Sequence, residues 1–350
     1  LQRTDSEAAG VLIEKTGRAG RITLNKPKAL NALDHDMALA IAAALEAWAG
    51  DDSVDLVVID AAGDKAFCAG GDIAALYHEG KAGRFDTARR FFADEYRLNR
   101  QIAHYPKPYV AMMDGIVMGG GVGLSAHGRL RIVSERSMVA MPECGIGLIP
   151  DVGGTLVLGE GPGRLGEYLG LTGFRMKAAD AILAGFADRF MPSERMGEAV
   201  ERLSASGDLG AIEDLFETPE PGELPDRMEA IDRFFALPDT AAILAALEAD
   251  GGEFAAATAK TIRRGSPLSL AVTLELVRAA RAAPSIETAL TREYRYTFRA
   301  QTMGDILEGT RAVVIDKDKA PRWSTQRLED LPHEQVTAML APLGDDELTF

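Results

Sequence analysis

Apolar positions along the first two hundred residues fall into short runs that alternate with polar and small-residue breaks. VLIEK and RITLN flank TGRAG and predict a hairpin. The Ala-, Leu- and Met-rich run from His35 to Trp48 predicts a helix, with Asp34 as its N-cap. VDLVVID and PYVAMM have the β-branched or continuous apolar character of buried strands, and RLRIV and SMVAM predict two shorter ones. Strands alternating with helices imply an α/β body. After about residue 205 the character changes. ETPEPGELPD is an acidic, proline-rich connector, and LAVTLELVRAARAA and ETALTREYRYTFRA then predict helices with little strand pattern. The expectation is a core over 1–205 and a helical region over 206–350, without a visible fixed-period repeat.

In FFADEYRLNRQIAHY, Phe91, Leu98 and Ile102 share one helical face, and Glu95 completes it. A carboxylate on an apolar stripe needs a reason. No cation lies three or four residues from it on its own helix, so it either meets a cation from elsewhere in the fold or serves a site.

MPECGIGLIPDVGG poses a similar question with two acids, Glu143 and Asp151, and no basic residue between them. Either they tip an exposed loop or they form a reaction site, because burial without partners pushes carboxyl pKa values up. Their eight-residue spacing spans ~26 Å in a straight strand. On a continuous helix it spans ~12 Å, with the side chains rotated by ~80°. Neither makes a site, but Gly145, Gly147, Pro150 and Gly153–Gly154 allow the chain to turn back.

Composition narrows the classes. The 350 residues are 47% hydrophobic and 26% charged, near globular averages. No apolar run approaches the ~20 residues that span a bilayer. A net charge of −15 argues against a nucleic-acid surface, which needs a positive footprint. LQRTDSEAAG lacks the pattern of a signal peptide, so a cytoplasmic location is the expectation. Two cysteines, Cys68 and Cys144, give no disulfide framework, and five scattered histidines give no metal spacing.

Three glycine-rich stretches compete for function. GPGRLG (161–166) has GxGxxG spacing but follows no strand, so it reads as a turn before a helix rather than a dinucleotide site. GLSAHG (123–128) fails as a nucleophile elbow because His127 occupies its last position. MGGGVGL (118–124) and FCAGGDI (67–73) each run from a strand end through small residues into a helix start. Such turns present backbone N–H groups that can hold a developing oxyanion.

Taken together, AGGD, Glu95, MGGG, MPE and PDVGG resemble the crotonase (enoyl-CoA hydratase/isomerase) superfamily, and more closely its 3-hydroxyisobutyryl-CoA hydrolase branch. SPLSL, EYR, EGTRA and IDKDKAPRW extend the resemblance to about residue 325. It implies a spiral of ββα units that binds an acyl-CoA, with CoA as part of the substrate and no separate cofactor. By the same resemblance, Ala69 and Gly120 donate the oxyanion N–H groups, and Glu143 and Asp151 are catalytic and face one thioester. Glu95 contacts substrate, along with Gly70, Asp72 and Gly119. A hydratase carries a second glutamate in the form GGGxE; Gly123 stands there, which favours hydrolysis over hydration or isomerisation of an enoyl-CoA. A non-catalytic CoA-binding scaffold is a further alternative, disfavoured by the presence of both acids and both glycine turns. Lys26 or Lys28 are candidates for the CoA phosphates, with solvated surface lysines as the alternative. Cys68 is expected to pack its loop rather than react. Superfamily members often form trimers or hexamers, so a homo-oligomer is a further expectation.

Overall fold

Strands β1 (Val11–Thr16) and β2 (Ala19–Leu24) pair antiparallel across a two-residue turn in which Gly17 takes φ +59°. The computed structural model describes residues 10–350. From β2 onward the named strands pair with one another in parallel, and single antiparallel bridges join Val139 to Met176 and Phe190 to Glu217. A six-stranded sheet runs β1-β2-β3-β5-β7-β9, with β3 at Leu56–Ala61, β5 at Tyr109–Met113, β7 at Leu130–Val133 and β9 at Arg189–Phe190. A three-stranded parallel sheet holds β4 (Ala66–Cys68), β6 (Ile116–Met118) and β8 (Met138–Ala140).

Chain order explains the pairing of the two sheets. β3, β5 and β7 are each followed within a few residues by β4, β6 and β8, and a helix follows β4 and β6: α2 (Ile73–Lys81) and α4 (Gly120–Ser125). This is a repeated ββα unit. The first strands begin at Leu56, Tyr109 and Leu130, so the intervals are unequal and no fixed period shows in the sequence.

Local chemistry places the helices. Asp34 accepts the Met37 N–H and caps α1 (His35–Ala49), as its position predicted. Asp72 accepts the Ala75 N–H and caps α2. The long amphipathic α3 (Phe85–Ala103) buries Phe91, Leu98 and Ile102 on one face. One face of the large sheet, through Leu56, Val58, Val110, Met112 and Ile132, packs on Met196, Ala199, Val200 and Leu203 of the helix Ser193–Ser206. Ile212 and Leu215 continue that core, and strands covered in this way read as near-continuous apolar runs.

A break at 205/206 describes the sequence, but in space the chain divides differently. Among the described residues, one unit comprises 10–71, Asp94–Ala140 and Arg175–Gly222; the other comprises Asp72–Ala93, Met141–Phe174 and Glu223–Phe350. The first unit reaches past 205 because Ile212 and Leu215 belong to the sheet's core. The second recruits early segments because the C-terminal helices bind them. Arg89 donates to the Phe298 carbonyl at 3.2 Å, and Gln301 donates to that of Leu76 at 2.8 Å. Its own core joins Leu148 and Ile149 to Leu268, Val272, Tyr296 and Ile306. Among the described residues, no helix is long and apolar enough to cross a membrane.

Candidate active site

In the first unit, two glycine turns leave the ends of neighbouring strands β4 and β6 and come into contact. A Cβ on Gly70 (φ +115°) would stand 3.5 Å from the Met118 carbonyl oxygen and 4.0 Å from the Gly120 nitrogen. Gly120 opens α4, so its N–H has no helical acceptor behind it. Gly119 precedes it at φ +49°.

The structure corrects the partner assigned to Gly120. The Ala69 N–H donates to the Leu30 carbonyl at 3.0 Å, so Ala69 is committed to the fold and does not present a donor. The Gly71 nitrogen instead lies 3.5 Å from the point a Cβ on Gly120 would occupy. Gly71 and Gly120 are therefore the two backbone donors that face each other. Nothing in AGGD distinguishes the amides of Ala69 and Gly71, because the discriminating bond comes from Leu30, far back along the chain.

Glu95 reaches the same place. It is 2% exposed, and its Oε1 stands 2.7 Å from that virtual Cβ on Gly120. Only a glycine leaves room for the carboxylate against the turn. Cys68 lies fully buried beneath, its Sγ 3.7 Å from the Gly70 carbonyl oxygen, and burial with Glu95 nearby pushes its thiol up to about 12. It is a packing residue.

In the second unit, Glu143 begins a short 3-10 turn (Glu143–Ile146) that Gly147, left-handed at φ +74°, brings to an end. The Leu148 N–H returns to the Glu143 carbonyl at 3.1 Å. The chain then reaches Asp151 and turns again through Val152 (φ +54°) and Gly153 (φ +77°) into α5 (Gly154–Glu160). Of the turn-permitting glycines, Gly147 and Gly153 use their freedom; Gly145 and Gly154 do not. Both acids are buried, at 5% and 4% exposure. Burial raises the Glu143 pKa well above the usual carboxylate range, and the charges of Asp151 and Glu293 add to the rise. Glu143 Oε2 has no hydrogen-bond partner among the described residues.

Glu293 is the acid that sequence reading missed. It lies on the helix Ile286–Ala300 with no exposure, and its Oε2 accepts the Gly153 N–H at 2.8 Å. Its Oε1 accepts the Thr155 N–H at 3.1 Å and the Thr155 hydroxyl. Burial lifts it to about 7, against the pull of these donors.

Other expectations fall where local geometry puts them. Lys26 is tied to Asp34 at 2.9 Å, and Lys28 is exposed. Ser125, of the rejected elbow, donates to the Gly121 carbonyl at 2.7 Å within its own helix. Residues 161–164 of GPGRLG join α5 to the helix Leu165–Thr172, whose first turn holds Gly166, and the stretch follows no strand.

Parallel ββα units, facing glycine turns and a buried carboxylate group define a protein of the crotonase fold class. Comparison with known proteins gives the family. Residues 19–340 match the family model described as enoyl-CoA hydratase/isomerase. The mitochondrial 3-hydroxyisobutyryl-CoA hydrolase of Rattus norvegicus is 42% identical, over 99% of this chain and 92% of its own. A crystal structure titled as an enoyl-CoA hydratase from Rhodobacter sphaeroides 2.4.1 superposes with TM-score 0.93 at 50% identity, covering 97% of this chain and 100% of its own. One titled as a carnitinyl-CoA dehydratase from Mycobacterium thermoresistibile gives 0.93 at 44%, over 97% and 98%. The chain belongs to the enoyl-CoA hydratase/isomerase family.

Proposed function

We propose that the protein hydrolyses a short acyl-CoA thioester, 3-hydroxyisobutyryl-CoA, to the free hydroxy acid and CoA. The observation that carries this reading is the buried pair of Glu143 and Asp151, in which Glu143 keeps an oxygen without a protein partner. Hydrolysis needs a polarised carbonyl, an oxygen nucleophile and a proton for the leaving thiolate. The Gly71 and Gly120 N–H groups suit the first task, since donors aimed at a developing oxyanion are worth about 3 kcal/mol each. Glu143 suits the second, either as base for a water or as the attacking carboxylate of a mixed anhydride. In the base route the water oxygen ends on the acyl carbon; in the anhydride route it ends on the acyl carbon or on Glu143, according to which carbonyl the water attacks. In both, the C–S bond breaks and the thiolate takes up a proton. Asp151 suits the placing of that water, and Glu95 the holding of the substrate hydroxyl.

The relatives' names disagree over the reaction, since the curated relative is a hydrolase and the solved ones carry hydratase and dehydratase titles. Gly123, with no side chain to act on water, supports hydrolysis. The test follows thiol release from 3-hydroxyisobutyryl-CoA alongside hydration of crotonyl-CoA. Thiol release well above the uncatalysed rate, without hydration, is the expected result. Hydration without thiol release would reverse the assignment. Running 3-hydroxypropionyl-CoA in parallel grades the contribution of the substrate's methyl group.

A further inference from the structure

We propose that Glu293 is a positioning residue that fixes the Asp151 carboxylate by clamping the turn that follows it. This deepens the hydrolase reading and rests on it. The turn from Asp151 to Thr155 is held from outside by a carboxylate of another helix. Gly153 stands at the N-cap of α5 without a capping side chain. The missing acceptor arrives from the helix Ile286–Ala300. Glu293 Oε2 takes the Gly153 N–H at 2.8 Å, and Oε1 takes the Thr155 N–H at 3.1 Å together with the Thr155 hydroxyl.

A second observation shows that the turn needs holding. Val152, immediately after Asp151, sits at φ +54°, where a β-branched side chain is strained. Such a conformation persists only where its surroundings over-determine it. The Gly154 N–H bond to the Asp151 carbonyl at 2.6 Å closes the turn on the Asp151 side, and Glu293 locks it on the other. Three donors converge on one carboxylate, which offers only acceptors. Glutamine, with one acceptor and one amide group, fits two of the three at best.

Errors of about 1 Å in a reacting group can cost about 100-fold in rate. Glu293→Ala is therefore expected to lower kcat for thioester hydrolysis about 100-fold with KM within threefold of the wild type. Glu293→Gln is expected to recover about tenfold of that loss, and it keeps the test usable if the alanine variant does not fold. Hydrogen–deuterium exchange of the whole protein supplies the structural arm: amides 152–156 exchange at least tenfold faster in Glu293→Gln, while those of the six-stranded sheet keep their protection. Unchanged exchange at 152–156 overturns the clamp. Faster exchange with wild-type kcat overturns the positioning role and leaves Glu293 a purely structural acid. A wild-type protein that releases no CoA refutes the hydrolase reading and takes this inference with it, whereas an active wild type with an equally active Glu293→Gln refutes the inference alone.

Discussion

Glu95 Oε1 and Gly120 occupy one small space: a Cβ added at Gly120 would lie 2.7 Å from that oxygen. Gly120 sits in α4 with no left-handed φ, so alanine suits its backbone and conflicts only with the carboxylate. Gly120→Ala is expected to fold and to lose at least about tenfold in thioester turnover, because Glu95 must swing away from the turn. Combining it with Glu95→Asp, one methylene shorter, should lose less than the two single losses multiplied together. Steady-state kinetics of the four proteins in that cycle measure the coupling; strict additivity would mean the contact has no consequence.

The neighbouring glycine predicts a different kind of damage. A Cβ at Gly121 would stand 2.3 Å from the Cys68 carbonyl oxygen, backbone against backbone. Gly121→Ala should therefore cost stability, about 1–3 kcal/mol as overpacking usually does. Urea denaturation reads this directly. A variant as stable as the wild type would show that β4 and α4 can separate freely.

Both thiols should be silent in the folded protein. Burial pushes Cys68 and Cys144 up to about 12, and reactivity follows the thiolate. A thiol-reactive dye should label neither in native buffer and both in denaturant. Rapid native labelling of either would contradict the packing described and would also confound a CoA-release assay.

What could be read from the chain depended on how far away the deciding partner lay. The hairpin at Val11–Leu24 and the Asp34 cap were legible because their signals sit within a few residues. The strands β4, β6 and β8 have three residues each, too few for alternation. SMVAM still marked β8, but the ββα repeat came from the family resemblance and not from the pattern, because each strand's partners lie far along the chain. Glu143 and Asp151 drew attention because no cation sits between them. Glu293 did not, because TREYRYTFR flanks it with arginines and resembles an ordinary charged helix face. Arg295 in fact turns to Glu347 at 2.7 Å, leaving Glu293 to the buried turn. Ala69 was assigned a donor role that its bond to Leu30 already takes.

The carboxyl cluster predicts the acid limb of the rate profile. If Glu143 acts in its ionised form, turnover rises with pH as that cluster loses its proton, and burial with the charges of Asp151 and Glu293 moves this step upward. The limb should lie above about pH 5, beyond the ordinary glutamate range. Its apparent pKa belongs to the coupled group rather than to one residue. Asp151→Asn removes one repelling charge and should lower the Glu143 ionisation, which a carbon-13 carboxylate titration can follow even if turnover is lost. A flat rate from pH 5 to 8, or no shift in the variant, would contradict this account.

Glu143→Gln should abolish most turnover and, at high pH, make the protein more stable. A carboxyl whose folded pKa exceeds its unfolded value binds its proton more tightly when folded. Its stabilising contribution is complete below the unfolded value of 4.5 and is lost as pH rises through the raised one. Above that unfolded value the wild type must either keep on Glu143 a proton that the unfolded chain releases or carry its charge against Asp151 and Glu293, a cost that glutamine removes. The melting temperature of the variant should exceed that of the wild type by roughly 2–6 °C at pH 8. As pH falls below 4.5 the advantage should fade, since Glu143 is then protonated in the folded and the unfolded chain alike. Glu293, lifted to about 7, acts with the same sign and stays in the variant, so some loss of stability between pH 5 and 7 should persist in both. Carboxyls such as Glu329, held down to about 2 by Arg263, act oppositely and only under more acid conditions, so they leave this window clear. Melting curves of the two proteins from pH 5 to 8 decide the matter: a difference that does not grow with pH would mean that folding does not raise the Glu143 pKa.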